Sequence, residues 1–161
     1  MINDTRRRRS FLRWLKSTPN RTFMVYPISI VAVEYFIQGQ TLNVRPLGAI
    51  LMVWGIVQFT LVRPYRFKRG GGGPGMGAPP QLLVTDGPYR YLRNPMYISH
   101  LIFMLGLAIT FSSWLALALF VFHLGWFHRR VVRDEAHLER LFGTTYLEYK
   151  ADVKRWIPWI L

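Results

Sequence analysis

The densest grouping of chemically versatile side chains in this 161-residue sequence is Gly87-Pro88-Tyr89-Arg90-Tyr91-Leu92-Arg93-Asn94-Pro95-Met96-Tyr97. Arginine forks onto carboxylates or phosphates, asparagine both donates and accepts, and tyrosine offers a cation-binding face with a hydroxyl at its rim. Such a set can grip a polar, charged ligand, or simply lipid headgroups. Glu135 is the second unusual residue: Val131, Glu135, Leu138 and Phe142 recur at helical spacing, so an acid stands on an apolar stripe. Unpaired burial of a carboxylate costs several kcal/mol, so Glu135 must face a cation. That cation is either an arginine such as Arg90, Arg93 or Arg129, or a cationic ligand. Glu34 resembles it more weakly, being placed to reach an interface beside Gln38.

Other chemistries lack their residues. With no cysteine there is no thiol nucleophile, disulfide framework or thiolate-bound metal, and of the four histidines only His123 and His128 are closely spaced, so no metal site is expected. No G-x-S-x-G nucleophile elbow occurs. Gly70, Gly72 and Gly75 fit G-x-G-x-x-G, but Pro74 interrupts the run and no strand precedes it, so phosphate cradling is not expected.

The elements that must position these groups are apolar. Thr22 to Gln38, Leu47 to Val62, Met96 to Phe111 and Trp114 to Phe127 carry Glu34 as their single formal charge. A 16-residue helix reaches only ~24 Å against a hydrocarbon core of about 30 Å, so the flanks must contribute to each crossing. Trp14, Tyr26, Tyr35, Tyr97, Trp114 and Trp126 lie at or near the ends, where amphipathic rings prefer the headgroup layer. A soluble helical core would place charges on the outer face of every helix, and these stretches offer none.

Lysine and arginine number 7 before the first stretch, then 1, 6 and 0 between successive stretches, and 7 after the last. That alternation is the positive-inside pattern and puts both termini in the cytoplasm, with Thr41 to Pro46 and Ser112-Ser113 outside. It also accounts for the net charge of +13 through topology and anionic lipid headgroups, leaving nucleic acid without a supporting motif. Arg8-Arg9-Ser10-Phe11-Leu12 resembles a twin-arginine export signal, but no small-residue cleavage site follows, so it reads as a basic anchor.

The expectation is an all-α, polytopic membrane protein with about four transmembrane helices and a C-terminal amphipathic cytoplasmic helix, placed in the plasma (inner) membrane. It forms one domain over 1–161: a basic interfacial segment 1–21, a flexible cytoplasmic loop 63–82 and a ligand-binding half 83–158. The last two apolar stretches pack as an antiparallel hairpin that brings Tyr97 near His128 and His100 near Gly125. The amphipathic helix runs to a C-cap at Gly143, and Tyr146, Tyr149 and Val153 extend its stripe onto a second short helix.

Leu83-Val84-Thr85-Asp86-Gly87-Pro88-Tyr89-Arg90-Tyr91-Leu92-Arg93-Asn94-Pro95-Met96-Tyr97, followed by Asp134-Glu135-Ala136-His137-Leu138 and Phe142-Gly143-Thr144-Thr145-Tyr146-Leu147-Glu148-Tyr149, resembles the isoprenylcysteine carboxyl methyltransferase and phospholipid methyltransferase superfamily. The resemblance implies a membrane enzyme that uses S-adenosylmethionine, held between the cytoplasmic ends of the last spans and the C-terminal helix. By position, Tyr91, Arg93, Asn94, Pro95 and Tyr97 match the family's Arg-His-Pro-x-Tyr region, Asp134 and Glu135 its paired acids, and Leu138 a pocket leucine. Asn94 stands where histidine is usual, keeping hydrogen bonding without proton acceptance. Asp134 shortens the first acid, so the ligand role falls chiefly to Glu135.

The cofactor set implied is therefore Tyr91, Arg93, Asn94, Pro95, Tyr97, Glu135, Leu138, Tyr146 and Tyr149, with Glu135 pairing an ammonium and the tyrosines facing cationic groups. For the reaction itself the candidates are Arg93, Tyr97, His100 and Glu139. Arginine would orient a carboxylate acceptor, whereas an amine acceptor needs a proton taken up, by Asp134, Glu139, His100 or His128. The substrate is expected to be lipophilic and to arrive from the bilayer. A sterol-reductase-like enzyme using NADPH, or a membrane scaffold, is the alternative.

Overall fold

Proline sets the start of most helices. Pro46 and Pro95 occupy the first turns of α2 (Pro46–Gly70) and α3 (Pro95–Phe111), where a missing N–H costs nothing. α1 (Tyr26–Ile37) carries Pro27 in its first turn and continues from a helical turn, Thr18–Asn20, and a π-helical segment, Arg21–Val25. Between α3 and α4 (Trp114–Phe142), Ser112 takes a left-handed conformation and the Ser113 hydroxyl accepts from the Ala116 amide at 3.1 Å. Gly143, at φ 54°, ends α4 and opens α5 (Thr144–Asp152). The computed structural model describes residues 11–12, 14–38, 42–72 and 80–156, and no strand occurs among them.

α2 corrects one expectation. The helix runs through Arg63–Gly70, into the segment 63–82 that composition assigns to a flexible loop. The cluster of basic residues does not mark where the helix ends. Lys68 and Arg69 sit in its last turn, where cations favour the negative end of the helix dipole. Pro64 is accommodated inside it. Residues 80–82 return directly, with the amides of Gln81 and Leu82 donating to the Gly70 carbonyl at 2.7 and 2.9 Å. Most of the glycine-rich run, and most of segment 1–21 before Trp14, lie outside the described residues.

Glycine lets α2 and α3 meet backbone to backbone, in opposite directions. A Cβ on Gly106 would stand 2.7 Å from the Gly48 carbonyl and the Met52 amide, and one on Gly55 would stand 2.8 Å from the Ser99 carbonyl. Small residues at such crossings are how apolar helices pack without a hydrophobic driving force between them. α1 lies along α3 in the same direction: Phe23 stacks on His100 and meets Phe103, while Ile30 packs with Leu107, Ala108 and Ala116. α4 returns antiparallel to α3, with the Tyr97 and Phe127 rings 5.1 Å apart and His100 5.8 Å from Phe127, close to the expected register. Every helix therefore changes direction relative to the one before it.

Outward-facing residues are apolar on three helices: Ile28 and Phe36 on α1, Leu47, Ile50, Trp54 and Leu61 on α2, and Trp114, Val121 and Phe122 on α4 are all exposed. α2 and α4 are long and apolar enough to cross a membrane, whereas α3 has 17 residues and α1 has 12. The fourth apolar stretch and the amphipathic stripe prove to be one continuous 29-residue helix, α4. On its lower half Val131 and Glu135 are buried, and Leu138 and Phe142 pack on Tyr146, Tyr149 and Val153 of the C-terminal segment.

Candidate functional site

A cleft forms where the start of α3, the lower half of α4 and α5 converge. Its position is set locally. The Asp86-Gly87 turn and the following 3-10 turn, Gly87–Arg90, bury Tyr89 against Phe59, Val62, Val84 and Met96. The Tyr149 hydroxyl reaches across to donate to the Tyr89 carbonyl at 2.7 Å, tying α5 to that turn. The Arg93 amide then donates to the Lys154 carbonyl at 3.0 Å, and its Nη1 donates to the Lys150 carbonyl at 3.0 Å. The chain before α3 is thus stitched to the C-terminal segment on both sides of Arg93.

Glu135 is the centre of charge. Its carboxylate accepts from Arg155, with Nη2 2.8 Å from Oε2 and Nε 3.2 Å from both oxygens. Arg93 Nε stands 3.3 Å from Oε1 in an ion pair, off the line of a hydrogen bond, and Asn94 Nδ2 donates at 3.4 Å. The Glu135 side chain is 4% exposed and Arg93 8%, whereas Arg155 is 25% exposed. One negative charge is thereby held between two guanidiniums, and the local balance stays cationic. The hydrogen bond to Glu135 raises the Arg155 pKa above its ordinary value.

Aromatic groups complete the walls. Burial pushes the Tyr146 and Tyr149 phenols above the usual tyrosine range, with Glu135 adding to the effect, and the Tyr89 phenol is pushed up to about 12. All three are neutral donors at physiological pH. The Tyr97 hydroxyl donates to Asp134 Oδ2 at 2.7 Å, and Arg130 Nε lies 3.9 Å from the same oxygen. The space within is about 90 Å³, lined by Arg93, Asn94, Tyr97, Asp134, Glu135 and Leu138 together with Tyr146, Tyr149 and Leu83.

The arrangement brings together Arg93, Asn94, Tyr97, Glu135, Leu138, Tyr146 and Tyr149 of the sequence-derived set. It leaves others elsewhere. Tyr91 is exposed and, with Pro95, lines a separate apolar groove beside Trp54, Val57 and Leu61 on the outer face of α2. Glu139 pairs with Lys150 outside the cleft lining. His100 is fully buried among Phe23, Phe59 and Phe127, one turn further along α3. His128 is outside the lining too, stacked on Trp156 with Trp156 Nε1 3.4 Å from its Nδ1. Glu34 is buried and accepts from Gln38 at 3.0 Å. Among the described residues no group of acids and histidines could hold a metal.

Arg155 is the residue that sequence reasoning missed. A buried acid needs a cation, and of Arg90, Arg93 and Arg129 the structure supplies Arg93, joined by Arg155. Arg155 follows α5 and has no periodic signal of its own. It arrives because Asn94 Nδ2 and the Arg93 amide bind the Arg155 and Lys154 carbonyls.

A phospholipid methyltransferase family model matches residues 44–145 of the chain. Among curated proteins, protein-S-isoprenylcysteine O-methyltransferase of Schizosaccharomyces pombe is 38% identical over 80 residues, covering 49% of this chain and 34% of that protein. The A enzyme of that name from Arabidopsis thaliana is 35% identical over 81 residues, 48% of this chain and 40% of its own. The Dictyostelium discoideum protein of the same name aligns over 136 residues at 26% identity, 78% of this chain and 54% of its length. The chain thus spans between a third and about half of these relatives.

Proposed function

Because this chain belongs to the phospholipid methyltransferase family, we propose that it transfers a methyl group from S-adenosylmethionine to a lipophilic acceptor in the membrane, a phospholipid amine or an isoprenylcysteine-like carboxylate. The observation that carries the reading is the buried Arg93–Glu135–Arg155 cluster, walled by Tyr97, Tyr146 and Tyr149 at the end of the bundle where the basic residues collect.

The donor set suits the methyl donor. Glu135 would take its ammonium, Arg93 and Asn94 its carboxylate or an adenine edge, and Leu138 with the tyrosine faces its apolar and cationic parts. When bound, S-adenosylmethionine supplies a sulfonium methyl open to in-line displacement. The protein's contribution is to position the reactants and exclude water. The space of about 90 Å³ is well below the ~300–1,000 Å³ usual for ligand pockets, so loading calls for its lining, the Leu83 segment among it, to move. For an amine acceptor, Asp134 is the group best placed to take a proton, since it borders the cleft and already accepts from Tyr97.

The acceptor's chain has an apolar place to lie. The groove of Trp54, Val57, Leu61, Tyr91 and Pro95 opens on the outer face of α2 and shares the first turn of α3 with the cleft. The groove favours lateral arrival of the substrate from the cytoplasmic leaflet, and the positive-inside alternation of the sequence favours four crossing segments, with the short α1 and α3 completed by their flanks. Each methylene left in the bilayer is worth about 0.8 kcal/mol, so a long-chain acceptor has every reason to stay there. In vesicles the protein should therefore pass labelled methyl from S-adenosylmethionine to long-chain lipid acceptors and lose most activity toward short-chain water-soluble analogues. Equal catalytic efficiency on both would overturn lateral entry, and no transfer to any amine or carboxylate lipid would overturn the reading itself.

A further inference from the structure

Trp126 of α4 holds two guanidiniums against one indole. Arg21, at the start of the π-helical segment before α1, lies 5.8 Å from the ring centroid, and Arg130, one helical turn beyond Trp126, lies 5.6 Å from it. The two arginines come from different helices that touch here through Tyr26 and His123, whose Oη and Nε2 are 3.2 Å apart. No carboxylate forms an ion pair with Arg21 among the described residues. Arg130 pairs with Asp134 at 3.9 Å and also meets the Tyr97 hydroxyl, so the pair of guanidiniums has one carboxylate between them. Arg21 Nε is buried with no hydrogen-bond partner, and the adjacent Thr22 hydroxyl is likewise buried and unsatisfied.

A part-exposed guanidinium with its Nε left over in this way calls for an acceptor from outside the chain, whereas the Thr22 hydroxyl is sealed from one. Two cations on one indole repel each other, and a shared anion removes that repulsion. The surroundings select the anion. Met24 in the π-helical segment, Ile28 on α1 and Phe122 on α4 are exposed apolar residues flanking the pair toward the middle of the bundle. An anion with an attached hydrocarbon tail satisfies both features, whereas a free ion satisfies one. Basic sites between helices at the cytoplasmic surface are a recurrent means of holding lipid phosphates, and π-helical insertions often mark functional sites.

We propose that Arg21, Trp126 and Arg130 form a binding site for the phosphate of an anionic bilayer lipid, with the acyl chains along the outer faces of α1 and α4. The site adjoins the cleft that Glu135 centres, through the Arg130–Asp134 pair at its border, and the inference does not depend on methyl transfer.

Native mass spectrometry of the full chain in detergent, titrated with phosphatidylglycerol, phosphatidylcholine or inorganic phosphate, tests it. Phosphatidylglycerol should bind saturably to wild type and at least tenfold more weakly to Arg21→Gln/Arg130→Gln. The charge-matched control Arg63→Gln/Lys68→Gln, on α2, should keep wild-type affinity. If the glutamine pair does not fold by circular dichroism, Arg21→Lys and Arg130→Lys singly should each weaken binding, because lysine loses the planar fork. Equal loss in the control, equal retention of phosphatidylcholine, or inorganic phosphate binding as tightly as the lipid would each overturn the proposal.

Discussion

Glu135 is both a structural ion-pair partner and the proposed ligand for a cationic group, and its neighbours separate the two roles. Replacing it by glutamine leaves Arg93, 8% exposed, without its counter-charge. Breaking such a buried pair costs ~3–5 kcal/mol. Arg155→Gln removes the more exposed partner and leaves Glu135 paired to Arg93, so it should lower the thermal midpoint clearly less than Glu135→Gln. Equal losses would show that Arg93 contributes nothing to holding the carboxylate. The tyrosines give an alkaline signature. Tyr89 has its pKa raised by burial to about 12, against about 10 in an unfolded chain. Because the folded value is the higher one, its contribution is complete below about pH 10 and is lost as pH rises through about 12. Tyr89→Phe should flatten the alkaline fall in unfolding midpoint, while leaving the Tyr149 hydrogen bond intact, since that bond uses the Tyr89 carbonyl. An unchanged slope would contradict this assignment.

At the scale of elements, the crossing of α2 and α3 depends on glycine in a way that can be measured against a control within the same fold. Gly106→Ala places a methyl 2.7 Å from two backbone atoms of α2, neither of which can rotate away, and overpacking of this kind costs ~1–3 kcal/mol. Gly125, in α4, has nothing within 4 Å of an added Cβ, so Gly125→Ala should stabilise by ~0.5–1 kcal/mol. A rise in midpoint for Gly106→Ala would mean the helices do not meet as described. The helical character of these elements was legible from uninterrupted apolar runs. The stripe Val131, Glu135, Leu138 and Phe142 was legible from its period, as was the cap at Gly143. The extent of α2 was not, because charge was read as a boundary, and a helix can carry lysines past the point where its surroundings become polar. Within the site, Arg93, Asn94, Tyr97 and Glu135 came from the local sequence. Arg155 did not, because its approach depends on the path of the chain after α5. The separation of Tyr91 and Glu139 from the cleft was hidden for the same reason: spacing along the chain says which residues are neighbours, not which face each one takes.

At the scale of the whole molecule, the cations among the described residues collect toward one end, Arg45 excepted. The starts of α1 and α3 and the ends of α2 and α4 lie together with Arg21, Lys68, Arg69, Arg93 and Arg130, and Arg45 stands at the opposite end, its amide donating to the Thr110 carbonyl at 2.8 Å. This distribution gives the proposed four-span orientation a direct check, and the absence of cysteine from the sequence makes it clean. Asn43→Cys should react with an impermeant maleimide in intact cells, and Lys68→Cys should react only after permeabilisation. The reverse pattern would overturn the proposed orientation and place the cleft on the other side of the membrane. The central claim concerns what enters that cleft, and isothermal titration of the purified chain with S-adenosylhomocysteine, set against NADPH, tests it most directly. The account predicts saturable one-to-one binding of S-adenosylhomocysteine, weakened by ~1.5–3 kcal/mol in Glu135→Gln as for a lost charge-assisted hydrogen bond, and no binding of NADPH. Saturable binding of NADPH with none of S-adenosylhomocysteine would contradict it.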